Sequence, residues 1–414
     1  MNLKETTILN GIAVVIKMMI ALFINKILAV IGGPNLYALV GQVQNLLMIA
    51  TSLGTGSINN GVVKYSSGDK YSNTTVLSTA MFVCVFLSIL LSALIYIYSD
   101  NLAILFFGDE SYVYLLVALS CTLVFVSSNS ILLSYINGIG KIKAYVACSI
   151  LGSFLSLVVI FFMSDLMGFK GALISLVTYQ VCYCIATCIY LYKSDVFYIS
   201  LSWSADNKEL IKDFGKFSLM ALTTAIVIPM SLILIRDYIS DEFGQEYAGN
   251  WEAIWRMSKA YLSVFTLTFS VYFLPKFSRI DNKKDILLEL KSGYALIIPL
   301  AMIICTTVYV FRRELVHLLF TDKFVHIYDL FLYQVIGDFF RIGSYILSFL
   351  ILGKAKAKLY IFSEIIFSIS LFSLIFVCTK IYGYEGVSMG YMFNYLAYWI
   401  FLFYFTLLKK RELS

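Results

Sequence analysis

Apolar runs of about 20 residues recur along the whole chain and are separated by short polar segments. Each run is continuously apolar rather than alternating, which favours helices over barrel strands. A run of this length is sufficient for one helix to cross the hydrocarbon core of a bilayer. The pattern predicts an all-α polytopic membrane protein with twelve transmembrane helices, at roughly 6–30, 36–61, 76–98, 112–136, 144–164, 170–192, 215–239, 250–275, 292–311, 325–352, 358–378 and 385–408.

Three short motifs occur once in each half of the chain, at offsets of 212 to 215 residues. Residues 64–66, 140–145 and 168–172 match residues 276–278, 353–360 and 383–387. Each half holds six predicted spans, so both halves enter the membrane from the same side. We therefore predict two six-helix lobes related by a pseudo-two-fold axis along the membrane normal, with a central cavity. The predicted boundaries are an N-lobe at 1–192, a cytoplasmic linker at 193–214 and a C-lobe at 215–414.

Composition and charge support a membrane location. The chain is 60% apolar and only 14% charged, against about 25% charged residues in soluble domains. About twenty lysines and arginines fall in loops on one side of the predicted spans and about six, including Arg236, on the other. The positive-inside rule then places both termini in the cytoplasm. The net charge of +6 reflects this bias and does not indicate nucleic-acid binding.

The eighth predicted span begins with charged residues on one helical face. Glu252, Arg256 and Lys259 are spaced i, i+4 and i+7. A charge in hydrocarbon costs roughly 2.5–3.5 kcal/mol on insertion scales, so this face is expected to meet water, a partner charge or an anionic cargo. Glu252 is the expected neutralising partner of Arg256.

Other spans add polar candidates to this set. Lys17 lies in the middle of the first span, and Arg341 follows Asp338 in the tenth, where an internal ion pair is an alternative to cargo binding. Amide side chains follow one face of the second span, at Gln42, Asn45 and Asn59. Such stripes fit a polar cavity, although hydrogen bonding between packed helices is the structural alternative. Cations outnumber anions, which favours a phosphate-bearing cargo.

No catalytic, metal or cofactor site is predicted. All eight cysteines lie in apolar runs, and the two histidines, His317 and His326, lie in or beside one loop without other ligands near them. Small soft side chains between helices explain the cysteines, so neither a disulfide nor a metal site is expected.

Four segments resemble the O-antigen flippases of the Wzx type, including the O-antigen translocases and the enterobacterial common antigen lipid III flippases. They are NNGVVKY at 59–65, FSLMAL at 217–222, YFLPKFSR at 272–279 and DFFRIG at 338–343. The resemblance runs from end to end and places the chain in the multidrug/oligosaccharidyl-lipid/polysaccharide exporter superfamily. In that superfamily the lipid II flippase has cavity cations on its first and eighth spans, the spans that hold Lys17, Arg256 and Lys259 here.

The resemblance implies a flippase for undecaprenyl-diphosphate-linked O-antigen repeat units in the bacterial inner membrane, working by alternating access. Lipid III or another lipid-linked oligosaccharide is the alternative cargo. A small-molecule exporter of the same fold and a membrane polysaccharide polymerase are less favoured, because interior cations outnumber carboxylates and no large outer loop is present. The expected partners are the lipid-linked oligosaccharide, membrane lipid, and the polymerase and chain-length regulator of the same pathway, with no nucleic acid.

Overall fold

The computed structural model describes residues 3–68, 70–193, 205–280, 282–354 and 356–408, and its regular elements are all helical. The helices are α1 Leu3–Gly54, α2 Asn59–Ser66, α3 Asn73–Ile97, α4 Ser99–Phe107, α5 Val113–Gly138, α6 Ile142–Lys193, α7 Ala205–Phe243, α8 Gln245–Thr268, α9 Leu274–Arg279, α10 Lys283–Val310, α11 Arg312–Leu319, α12 Ile327–Gly353, α13 Ala357–Tyr382 and α14 Gly386–Phe403. Single π-turns follow α8, at Phe269–Phe273, and α14, at Tyr404–Leu408.

The predicted twelve-span, all-helical architecture is confirmed. Eight segments of the described chain are long and apolar enough to cross a membrane, and three of these are 39, 51 and 49 residues long. Since about 20 residues suffice for one crossing, each of the three provides two spans, and each is broken at a glycine, Gly33, Gly168 or Gly383. The charged helix α8 supplies the remaining span.

The first compact unit comprises Met1–Gly32 and Leu39–Pro229. Its best-defined core joins α2, α3, α5, α6 and the start of α7 through buried side chains such as Val62, Leu77, Leu132 and Phe214. Polar contacts fix the start of α7 to the same core. Asn207 donates to the Thr79 hydroxyl at 2.6 Å.

The second compact unit comprises Gly33–Ala38 and Met230–Ser414. Helix α12 is central in it and packs against α8, α10 and α14. The division between the units falls inside α7, whereas the sequence-based boundaries were placed at 192 and 214. Those boundaries stay predictions, because residues 194–204 lie outside the described part of the chain.

The sequence repeat corresponds to a repeated hairpin. Gly168 (φ 58°) and Gly383 (φ 64°) lie at the turns between paired spans, in the left-handed region that glycine adopts without steric cost. Three residues later, Gly171 and Gly386 each pack directly on a backbone carbonyl of the preceding span. A side chain at either second glycine would collide with that carbonyl, so the spacing of the two glycines defines the close hairpin.

Candidate functional site

Helix α8 carries charged side chains at the centre of the candidate site. All residues from 248 to 258 are buried, which means that protein surrounds this end of the helix on every side. At Gly249 the backbone contacts the Pro34 carbonyl so closely that no side chain would fit. Glu252 and Arg256 therefore face neighbouring helices rather than lipid.

Glu252 is the centre of a buried ion network. One of its oxygens accepts a hydrogen bond from Arg256 Nε at 2.6 Å, and the other pairs with Arg236 Nη2. Exposure of the three residues is 3%, 8% and 1% for Glu252, Arg256 and Arg236. Because arginine stays protonated in proteins, two guanidiniums share one carboxylate, and the network holds a net positive charge. The predicted pairing of Glu252 with Arg256 is observed.

Aromatic rings enclose the two arginines. The Arg236 guanidinium lies 5.5 Å from the centre of the Trp251 ring, and that of Arg256 lies 5.2 Å from the Tyr37 ring. Ring faces attract cations, most strongly where water is excluded. Arg236 Nε and Nη1 nevertheless remain buried without a hydrogen-bond partner among the described residues. These donors are available to an anionic group or to water.

A second polar network lies around Asp338, which is fully buried. Its carboxylate accepts from Ser258 Oγ at 2.7 Å, from Tyr391 OH at 2.6 Å and from Tyr261 OH. Three hydroxyl donors thus compensate the burial of this charge.

Arg341 does not pair directly with Asp338. Its Nη1 donates to Tyr391 OH at 3.2 Å, and that same hydroxyl donates to Asp338. The internal ion pair considered from the sequence is therefore bridged by a tyrosine. The guanidinium also lies 4.9 Å from the Tyr395 ring centre and 5.3 Å from that of Trp255, while its Nε has no hydrogen-bond partner among the described residues.

Lys259 is the fourth cation near the two networks. Its side chain is exposed, in contrast to the buried segment before it on α8. It lies within electrostatic range of Arg256, Glu252 and Arg341. Glu364, which is half-buried and also within range of Arg341, is a further carboxylate. The described cluster then has four cations and three carboxylates and keeps a net positive charge.

The structure places the other predicted site residues in the first unit. Lys17 is exposed on α1, Gln42 is buried, and the Asn45 side-chain nitrogen is buried without a hydrogen-bond partner in the described chain. Asn59 Nδ2 donates to Ser130 Oγ at 2.7 Å and to Ser134 Oγ at 3.1 Å. The Asn59 amide therefore joins α2 to α5. Sugar binding by these side chains stays a prediction.

Two members of these buried networks, Arg236 and Tyr391, were missed from the sequence. Arg236 was counted with the loop cations, but it is buried in protein. A signal was available, because Arg236 and Glu252 are each eight residues from the turn at Gly244 and so reach the same depth in the α7–α8 hairpin. Tyr391 was missed because nothing local marks a tyrosine in an aromatic-rich span as a bridge. In the described residues no group of three or more His, Cys, Asp or Glu side chains could hold a metal ion.

Comparisons with known proteins agree with the motifs. The family model described as "Polysaccharide biosynthesis protein" matches residues 27–329, nearly three quarters of the chain. The chain is 27% identical over 408 residues to proteins named lipid III flippase from Escherichia coli K12 and Shigella flexneri, covering 96% of both chains. The resemblance to Wzx-type flippases is confirmed.

Solved transporter structures share the fold. An inward-facing multidrug resistance MATE family transporter of the MOP superfamily superposes with a TM-score of 0.72 at 14% identity, covering 96% of each chain. A MOP superfamily transporter from Pyrococcus furiosus gives a TM-score of 0.71 at 16% identity, covering 99% of this chain and 96% of that one. At such identities the likeness shows the architecture alone.

Proposed function

Because the chain belongs to the family of polysaccharide biosynthesis proteins, we propose that it flips a lipid III-type oligosaccharide, linked to undecaprenyl diphosphate, across the bacterial inner membrane. The chain is a multi-pass membrane flippase of lipid-linked oligosaccharides and not an enzyme. The O-antigen unit expected from the motifs is the less supported cargo, since the similar curated proteins from both species are named lipid III flippase.

The observation that supports a diphosphate cargo is the buried net positive charge around Glu252. Burying an unpaired charge is costly, so an excess of cations indicates that an anion offsets them during part of the working cycle. Guanidinium groups bind phosphate oxygens through two parallel hydrogen bonds. Arg236 and Arg341 both retain buried donors for such bonds. A cationic drug would be repelled by the same cluster.

The residues of the second unit then have distinct roles in the proposal. Lys259, as the exposed cation, meets the diphosphate first. Arg256, Arg341 and Arg236 hold the phosphate oxygens. Glu252 and Asp338 keep the surrounding donors in position. The predicted contacts in the first unit are Lys17 with the diphosphate, and Gln42, Asn45 and Asn59 with the sugars.

Alternating exposure of this charge cluster to the two sides of the membrane would move the cargo. In this proposal the cargo enters from the cytoplasmic side, so the diphosphate moves outward from the negative side of the membrane. That movement is favourable by about 2.3 kcal/mol per charge per 100 mV. The polymerase and chain-length regulator of the pathway then receive the translocated unit.

Charge reversal at Lys259 tests the proposal. In a strain lacking the native gene, Lys259→Glu should cause lipid-linked oligosaccharide to accumulate and surface polysaccharide to fall, with the protein still inserted. Both are measured by mass spectrometry of extracted lipids and by surface labelling. The matched control is Lys380→Gln, which removes an exposed cation that pairs with Glu242 at 2.9 Å. Normal export by Lys259→Glu and by Lys17→Glu would eliminate the diphosphate role.

A further inference from the structure

Two adjoining cavities lie where α10, α11 and α12 meet in the second unit. One has a volume of about 410 Å³ and a mixed polar and apolar lining, with Arg312, Arg313, Tyr328 and Asp329 in its wall. The other has a volume of about 270 Å³ and an apolar lining that includes Val335. Tyr309 and Leu332 line both cavities. The two therefore adjoin, with the arginines at one end and an apolar lining at the other.

The polar end has a net positive charge. Arg312 donates from Nη1 to the Tyr309 carbonyl at 2.8 Å and lies 4.4 Å from the centre of the Tyr309 ring. These contacts hold its guanidinium in place at the cavity wall. Arg313 is exposed. Asp329, whose carboxylate is 3.6 Å from His326 Nδ1, is the one carboxylate in this wall. The lining thus presents two guanidiniums and one carboxylate.

More distant acids do not line the cavity. Glu314 and Asp322 lie within electrostatic range of Tyr328, as do both arginines. They moderate the positive potential, and among the described residues that line the cavity the charged donors are the two arginines. The site therefore favours a ligand of low negative charge over a highly charged one.

Helix α11 indicates that the polar end lies at headgroup depth. It is a short helix directly after a membrane span, with Val316 buried and Arg313 and Glu314 exposed. Apolar side chains beside the arginines remain exposed: Val310, Phe311 and Leu318 are 58%, 53% and 68% exposed. A short amphipathic helix with this distribution lies in the interface between headgroups and acyl chains.

We propose that these joined cavities bind an anionic phospholipid of the bilayer. Arg312 and Arg313 hold the phosphodiester, and one acyl chain enters the apolar cavity between α10 and α12. Tyr309 lies at the boundary, where an aromatic ring with a polar tip is favoured. The site is separate from the Glu252 cluster, and the proposal does not depend on which oligosaccharide is flipped.

Charge balance selects a phospholipid over the diphosphate carrier. A phosphodiester has one negative charge, which matches the net single positive charge of the lining. A diphosphate has at least two and would bring the excess charge close to Asp329. Phosphatidylglycerol is therefore the probe of choice, and phosphatidylcholine, whose headgroup has no net charge, is its matched comparison.

Native mass spectrometry of the whole purified protein tests the site with these two lipids. We expect the wild type to retain phosphatidylglycerol in preference to phosphatidylcholine. Arg312→Gln/Arg313→Gln should weaken phosphatidylglycerol binding by roughly 10- to 30-fold, because each cation near a membrane surface contributes about a factor of five. Val335→Trp, which fills the apolar end, should also reduce retention. Lys380→Gln, a charge removal outside the cavity, should leave it unchanged.

Three results would overturn the proposal. Equal retention of phosphatidylglycerol by the double arginine variant would show that lipid binds elsewhere. Displacement of phosphatidylglycerol by undecaprenyl diphosphate at equal or lower concentration would assign the site to the carrier lipid. Competition by inorganic phosphate, together with no effect of Val335→Trp, would reduce the site to a simple anion site. A circular-dichroism melt of each variant excludes unfolding as the cause of lost binding.

Discussion

Replacing Glu252 with glutamine tests whether its network is a buried ion cluster. The carboxylate pairs with Arg236 and Arg256, and all three residues are at most 8% exposed. Glutamine keeps the shape and one oxygen acceptor but removes the negative charge. Removal of one partner from a buried ion pair costs about 3–5 kcal/mol. Since this change leaves two guanidiniums without a counter-charge, we expect a loss of free energy of unfolding near the upper end, about 5 kcal/mol.

The assay is reversible unfolding in mixed micelles, in which the fraction of denaturing detergent is raised stepwise. Arg236→Gln is the matched control, because it leaves the Glu252–Arg256 pair with balanced charges and should be the milder change. The double variant Arg236→Gln/Glu252→Gln should lose less than the sum of the two single losses, since the anion and one cation are removed together.

A small effect would refute the reasoning. If Glu252→Gln lost less than about 1 kcal/mol, the value typical of a solvent-exposed pair, the network would be hydrated rather than buried. Strict additivity in the double variant would show that Arg236 and Glu252 do not act on each other.

Three further predictions concern other parts of the chain. Tyr391→Phe removes the hydroxyl between Asp338 and Arg341 and should cost about 1–3 kcal/mol in the same titration. Gly386→Ala should cost about 1–3 kcal/mol, because its Cβ would collide with the Cys378 carbonyl. Gly215→Ala, where a Cβ meets nothing within 4 Å inside helix α7, should not lower stability in a thermal melt and should raise it by about 0.5–1 kcal/mol. A hydrogen bond from Lys70 lowers the pKa of Glu209 from its usual 4.5. This pairing therefore stabilises the start of α7 above pH 4.5, and the stabilisation is lost as the pH falls further. Hydrogen exchange at the start of α7, corrected for the intrinsic exchange rate at each pH, should show this loss.

Each of these has a clear opposing outcome. Unchanged stability of Tyr391→Phe would mean that water replaces the bridging hydroxyl. Equal melting of the two glycine variants would mean that the hairpin relaxes around a methyl group. Exchange at the start of α7 that is unaffected by acid would mean that the nearby Lys70–Asp213 contact at 2.8 Å is sufficient by itself.

Much of the fold could be predicted because the bilayer restricts the backbone structures that the chain can adopt. Backbone groups in lipid must be paired within helices, so the length of each apolar run determines a span. The repeated glycines were also visible in the sequence, and their turns appear at Gly168 and Gly383. The sequence also predicted α8 as a span, although its charges exclude it from the eight apolar segments described above.

The site could be predicted only in part, because its contacts connect distant positions. The Glu252–Arg256 pair lies within one helix, and its i, i+4 spacing in the sequence predicts the contact. The hydrogen bond from Tyr391 to Asp338 joins side chains 53 residues apart on two helices. No local sequence pattern predicts a contact between residues so far apart. The Asn59 amide could equally have faced a cavity or a neighbouring helix, and only the packing of α2 on α5 distinguishes the two.

The near absence of a loop inside α6 has a consequence for biosynthesis. Its two arms are joined at Gly168 alone, within a helix of 52 residues. Asp165 and Lys170 flank this turn, so the charged part of the connector is only a few residues long. Because each arm is long enough to cross the bilayer, we expect the two arms to insert as one tight hairpin, with only this short turn passing to the far side.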